Sequence, residues 1–301
     1  MSVHADPLED VLALVGASSS FSAGLVAGGD WAVSFAPTPA VKFNAVRRGR
    51  CLLLVADVTY ELNPGDCFLL TRPVAFTLAS DLTWPTIPAA VIFAGGTGRA
   101  GTGDDVFLLG GRFDFGERAR ELLLDALPPV VHVPGASPSA ATVRWALEQI
   151  ETEMRERPLG AALVAEHLAL VMLIHVLRLH VSLAPPDSGW LAGLADPVVG
   201  PALRLLHGEP AYAWTVAELA SRASVSRSTM AARFRRVVGQ GPLEYLTRWR
   251  IELAAARLRR DDGTVAAIAR SVGYGSESAL SNAFKRLTGL SPRAYRASRT
   301  P

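Results

Sequence analysis

Two short stretches near the C-terminal end set cationic side chains beside small polar ones. The first holds Arg227, Ser228, Thr229, Ala232, Arg233 and Arg236; the second holds Glu277, Ser278, Ser281, Asn282, Lys285 and Arg286. Guanidinium and ammonium groups neutralise phosphates, whereas hydroxyl, amide and carboxylate groups hydrogen-bond to base edges. In both stretches small polar residues stand in the first half and cations close the run, with Arg227 also opening the first. A helix that enters a major groove by its N-terminal end needs that order. Cys51 and Cys67, the two cysteines of the chain, could also do chemistry. A disulfide is possible if their Cα atoms lie within about 7 Å, and redox sensing requires an accessible, low-pKa thiolate. Arg48 and Arg50 lie near Cys51 but no His does, so buried structural cysteines are expected, with a redox-responsive pair as the alternative. His167, His175 and His180 are spaced by 8 and 5, which puts no two on adjacent turns of one helix face; no metal site is expected there.

The elements that position the cationic stretches show as an internal duplication. VAELASRASVSRSTMAARFRRVVGQGPLEY, residues 216–245, recurs as VAAIARSVGYGSESALSNAFKRLTGLSPRAY, residues 265–295. Ala220 matches Ala269 at an offset of 49, whereas Phe234, Arg235, Arg236, Gly239, Pro242 and Tyr245 match Phe284, Lys285, Arg286, Gly289, Pro292 and Tyr295 at 50. One residue has therefore entered the turn of the second copy. Each copy reads as helix–turn–helix. Thr215 with Glu218 forms a capping box, Ser226 and Ser276 cap the second helices, and Gly273 sits where a turn favours positive φ. Met230, Phe234, Leu280 and Phe284 recur at helical spacing and belong to the core, as do Ile251, Leu253, Ala254 and Leu258 on a connecting helix over 243–259. Two such helices on one rigid linker would enter successive major-groove segments roughly 34 Å apart.

The whole chain fits this picture. It has 301 residues, half apolar and 19% charged, with net charge +2. That length suits two or three domains, and the apolar content excludes a disordered chain. Two cysteines exclude a disulfide scaffold and fit a reducing compartment. Residues 1–10 carry no Lys or Arg, so no secretory signal is expected. The longest apolar run of the greasiest stretch, 168–174, is seven residues, so no bilayer span is expected either. A soluble, cytoplasmic protein follows, nucleoid-associated when bound to DNA. The charge is unevenly placed: residues 1–195 hold 13 Lys+Arg and 20 Asp+Glu, and residues 196–301 hold 17 and 8. The basic third is the expected reader of phosphate.

Residues 1–130 show short apolar runs at 33–35, 51–55, 67–70, 74–78, 91–93 and 106–109, separated by turns such as Asn63-Pro64-Gly65-Asp66. These predict a small antiparallel barrel or sandwich. Helical patterns cover 139–157 and 160–182, split by Pro158. The second is apolar nearly all round and must bury both sides, in a core or against a partner chain. Pro185-Pro186-Asp187-Ser188-Gly189 reads as a linker. The fold class is thus multidomain α+β: a β-domain over 1–130, a helical linker and dimerisation segment over 131–195, and an all-α domain over 196–301.

Across 196–301 the sequence resembles the AraC/XylS family of bacterial transcriptional regulators, carried by GYGSESALSNAFKRLTGLSPRAYR with PLEYLTRWRIELAAARL before it. The resemblance implies a seven-helix DNA-binding domain, often used in a dimer, with promoter DNA and RNA polymerase as partners. Similar sequences commonly place Arg near Ala232 and near Asn282; both positions are uncharged here, so a different base code is expected. Residues 43–80, through Phe43-Asn44-Ala45-Val46, Gly49 and 62–70, resemble the cupin-type sensory domain found before many such regulators. Similar sequences often carry His where Asn44 and Phe76 stand, and residues 5–131 contain none. A metal-dependent cupin enzyme is therefore the least favoured reading, and no cofactor is implied. Instead an antiparallel cupin-like barrel is expected to enclose an unidentified small-molecule effector, lined by Trp31, Phe35, Phe43, Asn44, Phe76, Trp84 and Phe93.

Overall fold

The computed structural model describes residues 6–96, 98–116, 122–183 and 189–298. The chain divides into two units, Val15–Leu183 and Met1–Leu14 with Ala184–Pro301. The helices over 141–183, expected as part of a linker, thus group with the β-domain, and residues 6–14 group with the helical unit. Positions 185–188 of the expected linker lie outside the described residues. Helix α1 (Pro7–Val15) is followed by strands β1 (Ser18–Gly28), β2 (Ala32–Phe35), β3 (Val41–Arg48), β4 (Cys51–Val55), β5 (Val58–Leu62), β6 (Cys67–Leu70), β7 (Phe76–Ala79) and β8 (Ile87–Pro88). Then come α2 (Ala89–Ile92), β9 (Gly98–Gly101), β10 (Val106–Asp114), β11 (Val130–Val133), α3 (Ala141–Glu156) and α4 (Ala161–Leu183).

The β-domain, expected as a small antiparallel barrel or sandwich, is a pair of open sheets. One has the order β11-β6-β3-β10-β1-β9, the other β5-β4-β7-β2-β8. Edge strands β9 and β8 attach parallel to β1 and β2 and end the sheets there, so neither ladder closes. The run at 91–93, expected as a strand, is the helical turn α2. It follows Pro88, and Val91 is 65% exposed, so no sheet face requires it. Between the sheets Leu25, Val33, Val46, Leu53, Phe68, Leu78 and Leu108 form one core. The alternate residues of β3 and β10 bury on the opposite face, where Phe43 packs against Phe21 and Phe113 at ring distances of 5.6 and 5.4 Å. The predicted turn at Asn63–Asp66 is present: Asp66 N–H donates to the Asn63 carbonyl at 3.0 Å, and Gly65 has φ +90°.

Helix α4 lies against α3 and against β1 and β11. Ala165, Ala169, Met172, Leu173, Val176 and Leu177 are buried on one side, while Leu163, Val164 and Val171 are exposed. It therefore buries one face within this unit, not both. Residues 161–182 are long and apolar enough to cross a bilayer by length and composition alone, which the seven-residue run understates.

The helical unit contains α1, α5 (Trp190–Gly193), α6 (Val199–Gly208), α7 (Val216–Arg222), α8 (Arg227–Val238), α9 (Pro242–Arg260), α10 (Val265–Ser271), α11 (Glu277–Thr288) and α12 (Pro292–Ala297). From α6 onward that is seven helices among the described residues, the number the resemblance implies. On α9, Ile251, Ala254, Ala255 and Leu258 pack with Ile268, Ala269, Val272, Leu280 and Phe284.

The His207 imidazole is fully enclosed in this unit. The His207 side chain stacks on Trp249 at 4.2 Å, lies 3.2 Å from Asp10 Oδ2 through Nδ1, and 2.7 Å from the Tyr245 hydroxyl through Nε2. A neutral imidazole satisfies both contacts, with Nδ1–H donating to Asp10 and Nε2 accepting from Tyr245. Burial holds His207 below its ordinary value of 6.5, outweighing the upward pull of Asp10. The folded state therefore binds this proton less readily than the unfolded chain, and stability is retained above about pH 6.5 and lost as pH falls toward the lower folded value. Thermal unfolding followed by circular dichroism should show a midpoint that drops by on the order of 5 °C between pH 7.5 and 5.5. A His207→Gln variant should be less stable at neutral pH and show a shallower slope; an unchanged slope would contradict the assignment.

Candidate nucleic-acid interface

The two helix–turn–helix copies share one local construction. Thr215 and Thr264 accept hydrogen bonds from Glu218 N–H and Ala267 N–H at the starts of α7 and α10. In the turns, Val225 N–H donates to Ala220 O at 3.0 Å and Tyr274 N–H to Ala269 O at 2.9 Å. The residue before each donor has positive φ: Ser224 at +55° and Gly273 at +86°. A Cβ on Gly273 would sit 2.7 Å from the Ala211 carbonyl oxygen, so only glycine fits there. The inserted residue of the second copy is Gly275, between Tyr274 and the cap Ser276. Ser226 and Ser276 then accept from Thr229 N–H and Ala279 N–H, both at 3.1 Å. Gly239 and Gly289 end α8 and α11 in the left-handed region. Phe234 meets Tyr245 edge-on at 5.9 Å, and Phe284 meets Tyr295 at 5.2 Å.

With Met230, Phe234, Leu280 and Phe284 buried, the opposite sides of α8 and α11 face solvent. Arg227, Ser228, Thr229, Ala232 and Arg236 are exposed on α8; Ser278, Asn282, Lys285 and Arg286 are exposed on α11, where Ser281 is half-buried. The Ser228 and Thr229 hydroxyls lie 2.9 and 2.8 Å from Ser226 Oγ, which fixes their rotamers at the helix start. Glu277 pairs with Arg293 at 3.2 Å. Arg235 is exposed and was missed, although its match to Lys285 in the duplication marked the position.

Arg233 has a partner within the fold. Its Nε donates to both carboxylate oxygens of Asp196 at 2.9 and 3.1 Å, so it ties α8 to the start of α6. Asp196 also accepts from the N–H groups of Val198 and Val199 at 2.8 and 2.9 Å. Against the upward push of burial, these bonds hold its carboxyl below the ordinary value. Other arginines serve the fold too. Arg250 donates to the carbonyls of Pro210 and Tyr212 at 2.6 and 2.7 Å, Arg296 donates to Gly263 O at 2.6 Å, and Arg259 bonds the Tyr295 hydroxyl. The basic excess is thus part structural and part solvent-facing.

In the β-unit a cavity of about 370 Å³ is lined by Phe35, Asn44 and Phe93 of the expected pocket residues, together with Lys42, Leu25, Leu78 and Leu108. Trp31 and Phe76 belong to the inter-sheet core instead, Phe43 points to the opposite sheet face, and Trp84 is 41% exposed. Lys42 was missed, although it stands two residues from Asn44 on one strand face. Cys51 and Cys67 are free, buried, and on strands of different sheets. Burial, then the Asp66 carboxylate, pushes both thiols up to about 12, which keeps them protonated and opposes the redox alternative.

Comparison with known proteins agrees with this arrangement. A cupin family model matches residues 6–182, and a helix-turn-helix domain model matches 219–298. A Streptomyces lividans protein named an AraC-like transcription regulator is 62% identical over 297 residues, covering 97% of this chain and 98% of its own. The chain belongs to the AraC-type transcription regulators. A Streptomyces antibioticus protein of the same name is equally similar, at 62% over 297 residues with the same coverage. The solved DNA-binding domain of AdpA, in complex with a target DNA, is 35% identical and covers 35% of this chain and 93% of that one, with a TM-score of 0.33.

For this AraC-type regulator the Arg233 geometry separates two roles. Arg233→Ala leaves Asp196 buried without its counter-charge and should cost about 1–2 kcal/mol in chemical denaturation. Lys285→Ala, on the exposed face, should change stability by no more than a few tenths of a kcal/mol.

Proposed function

We propose that this AraC-type regulator reads two successive major-groove segments with the exposed N-terminal faces of α8 and α11. The observation that carries this reading is the repeated cap, turn and buried aromatic, which gives both helices the same solvent-facing presentation. Arg227, Ser228, Thr229 and Ala232, then Ser278, Ser281 and Asn282, stand at base-edge positions, with Glu277 held by Arg293. Arg235, Arg236, Lys285 and Arg286 take phosphates, and Arg233 acts by positioning α8. The chain acts in the cytoplasm on promoter DNA, with RNA polymerase as the downstream partner, and as a regulator rather than an enzyme. Ligand in the β-unit shifts the DNA-binding population by binding one conformation better than another.

Binding of the full chain to its selected DNA site, followed by fluorescence anisotropy, should weaken steeply with salt, by about 0.9 log units per log salt for each phosphate contacted. Lys285→Ala should weaken binding on all sequences and reduce that slope by about 1. Asn282→Ala should cost about 1–3 kcal/mol on the best site alone. Salt-independent binding, or equal loss of specific and non-specific affinity with Asn282→Ala, would sink the reading.

The exposed face of α4, with Leu163, Val164 and Val171, is proposed as the seat of a homodimer contact. Sedimentation velocity should give a dimer for the native chain. Val171→Glu, at an exposed position, should shift it toward monomer without lowering the unfolding midpoint.

A further inference from the structure

The cavity of the β-unit carries polar groups that the fold does not use. Side chains on β3 alternate, so Lys42, Asn44 and Val46 share one face and Val41, Phe43 and Ala45 the other. The first face is the inter-sheet side, where Val46 sits in the apolar core and Lys42 and Asn44 line the cavity with Leu25, Phe35, Phe93 and Leu108. Asn44 is only 7% exposed, and its Nδ2 has no hydrogen-bond partner. Leaving such a donor unpaired in the interior costs about 1–3 kcal/mol. Among the described residues, Lys42 is the one charged side chain that lines the cavity, and no carboxylate lines it. Burial, then the nearby Arg112 charge, holds its amine below the ordinary lysine value.

A strand interior with a lysine and an unpartnered amide in place of apolar residues is poor for packing and suited to an acceptor from outside. We propose that this cavity binds a small organic monocarboxylate, its carboxylate received by Lys42 Nζ and the Asn44 amide and its apolar body against Leu25, Phe35, Phe93 and Leu108. A carboxylate offers acceptors to both groups and no donor, and it offsets the charge of Lys42. The amide can turn either end toward the ligand without change of shape. At about 30 Å³ for each water-sized group, a volume of about 370 Å³ takes a ligand of roughly 10–12 non-hydrogen atoms. This deepens the proposed effector control and rests on that reading for its regulatory consequence, but not for the binding itself.

Isothermal titration of the full chain with sodium octanoate, sodium cinnamate and 1-octanol tests it. Octanoate or cinnamate should bind at least tenfold tighter than 1-octanol. Lys42→Met should remove that preference while keeping 1-octanol binding, which shows the cavity is still formed, and Asn44→Leu should weaken carboxylate binding at least threefold. The two carboxylates separate a linear body from a flat one. Equal binding of octanol and the carboxylates, no binding of either carboxylate, or native carboxylate affinity in Lys42→Met would overturn the proposal. Specific-site anisotropy with and without octanoate is read separately. Carboxylate binding that leaves DNA affinity unchanged would support the ligand class and remove effector control, whereas loss of DNA binding altogether would strike the reading of the helical unit alone.

Discussion

The surface that α8 and α11 present depends on two short turns that hold one residue apiece in the left-handed region. Ser224 and Gly273 fix the angle at which each second helix leaves the first, and one backbone hydrogen bond across each turn locks it. The serine caps then fix the helix start, so the N-terminal side chains inherit their direction from backbone geometry. The buried Phe–Tyr edge contacts fix the roll of each helix, and with it which residues face out. The copies are not equal. Glycine takes the left-handed turn at no steric cost, whereas Ser224 carries strain that its neighbours must hold.

Most of this was legible in the sequence, because duplicated caps and aromatic spacings are local signals. Thr215 with Glu218, Ser226, Ser276 and Phe234 with Phe284 all stand where the pattern put them. Signals that depend on the three-dimensional partner were not legible. Arg233 reads as one more cation on a basic helix, and only the folded chain brings Asp196, 37 residues earlier, under it. Whether short strands close into a barrel or stop as two sheets depends on edge pairing, and the parallel attachment of β8 and β9 has no local signature. The run at 91–93 misled because apolar content was read as burial, yet Val91 is exposed.

The pocket shows the same division. Aromatic residues were chosen for size, but size does not say which face of a strand a ring occupies; Phe43 and Phe35 went to different sides. Polarity at an inward position was the better guide, because a lysine and an asparagine on the core side of β3 break the binary pattern that the rest of the strand obeys. The two cysteines are buried as expected, and they stand on strands of different sheets.

The bond between α1 and α6 carries a consequence for how the molecule is made. Asp10 and His207 are 197 residues apart in sequence. During synthesis α1 is therefore made before the β-unit is translated, and its His207 partner only after it. The helical unit completes itself by recruiting a segment made long before its own. A fragment that begins at 196 would lack this helix and leave the imidazole without one of its two partners.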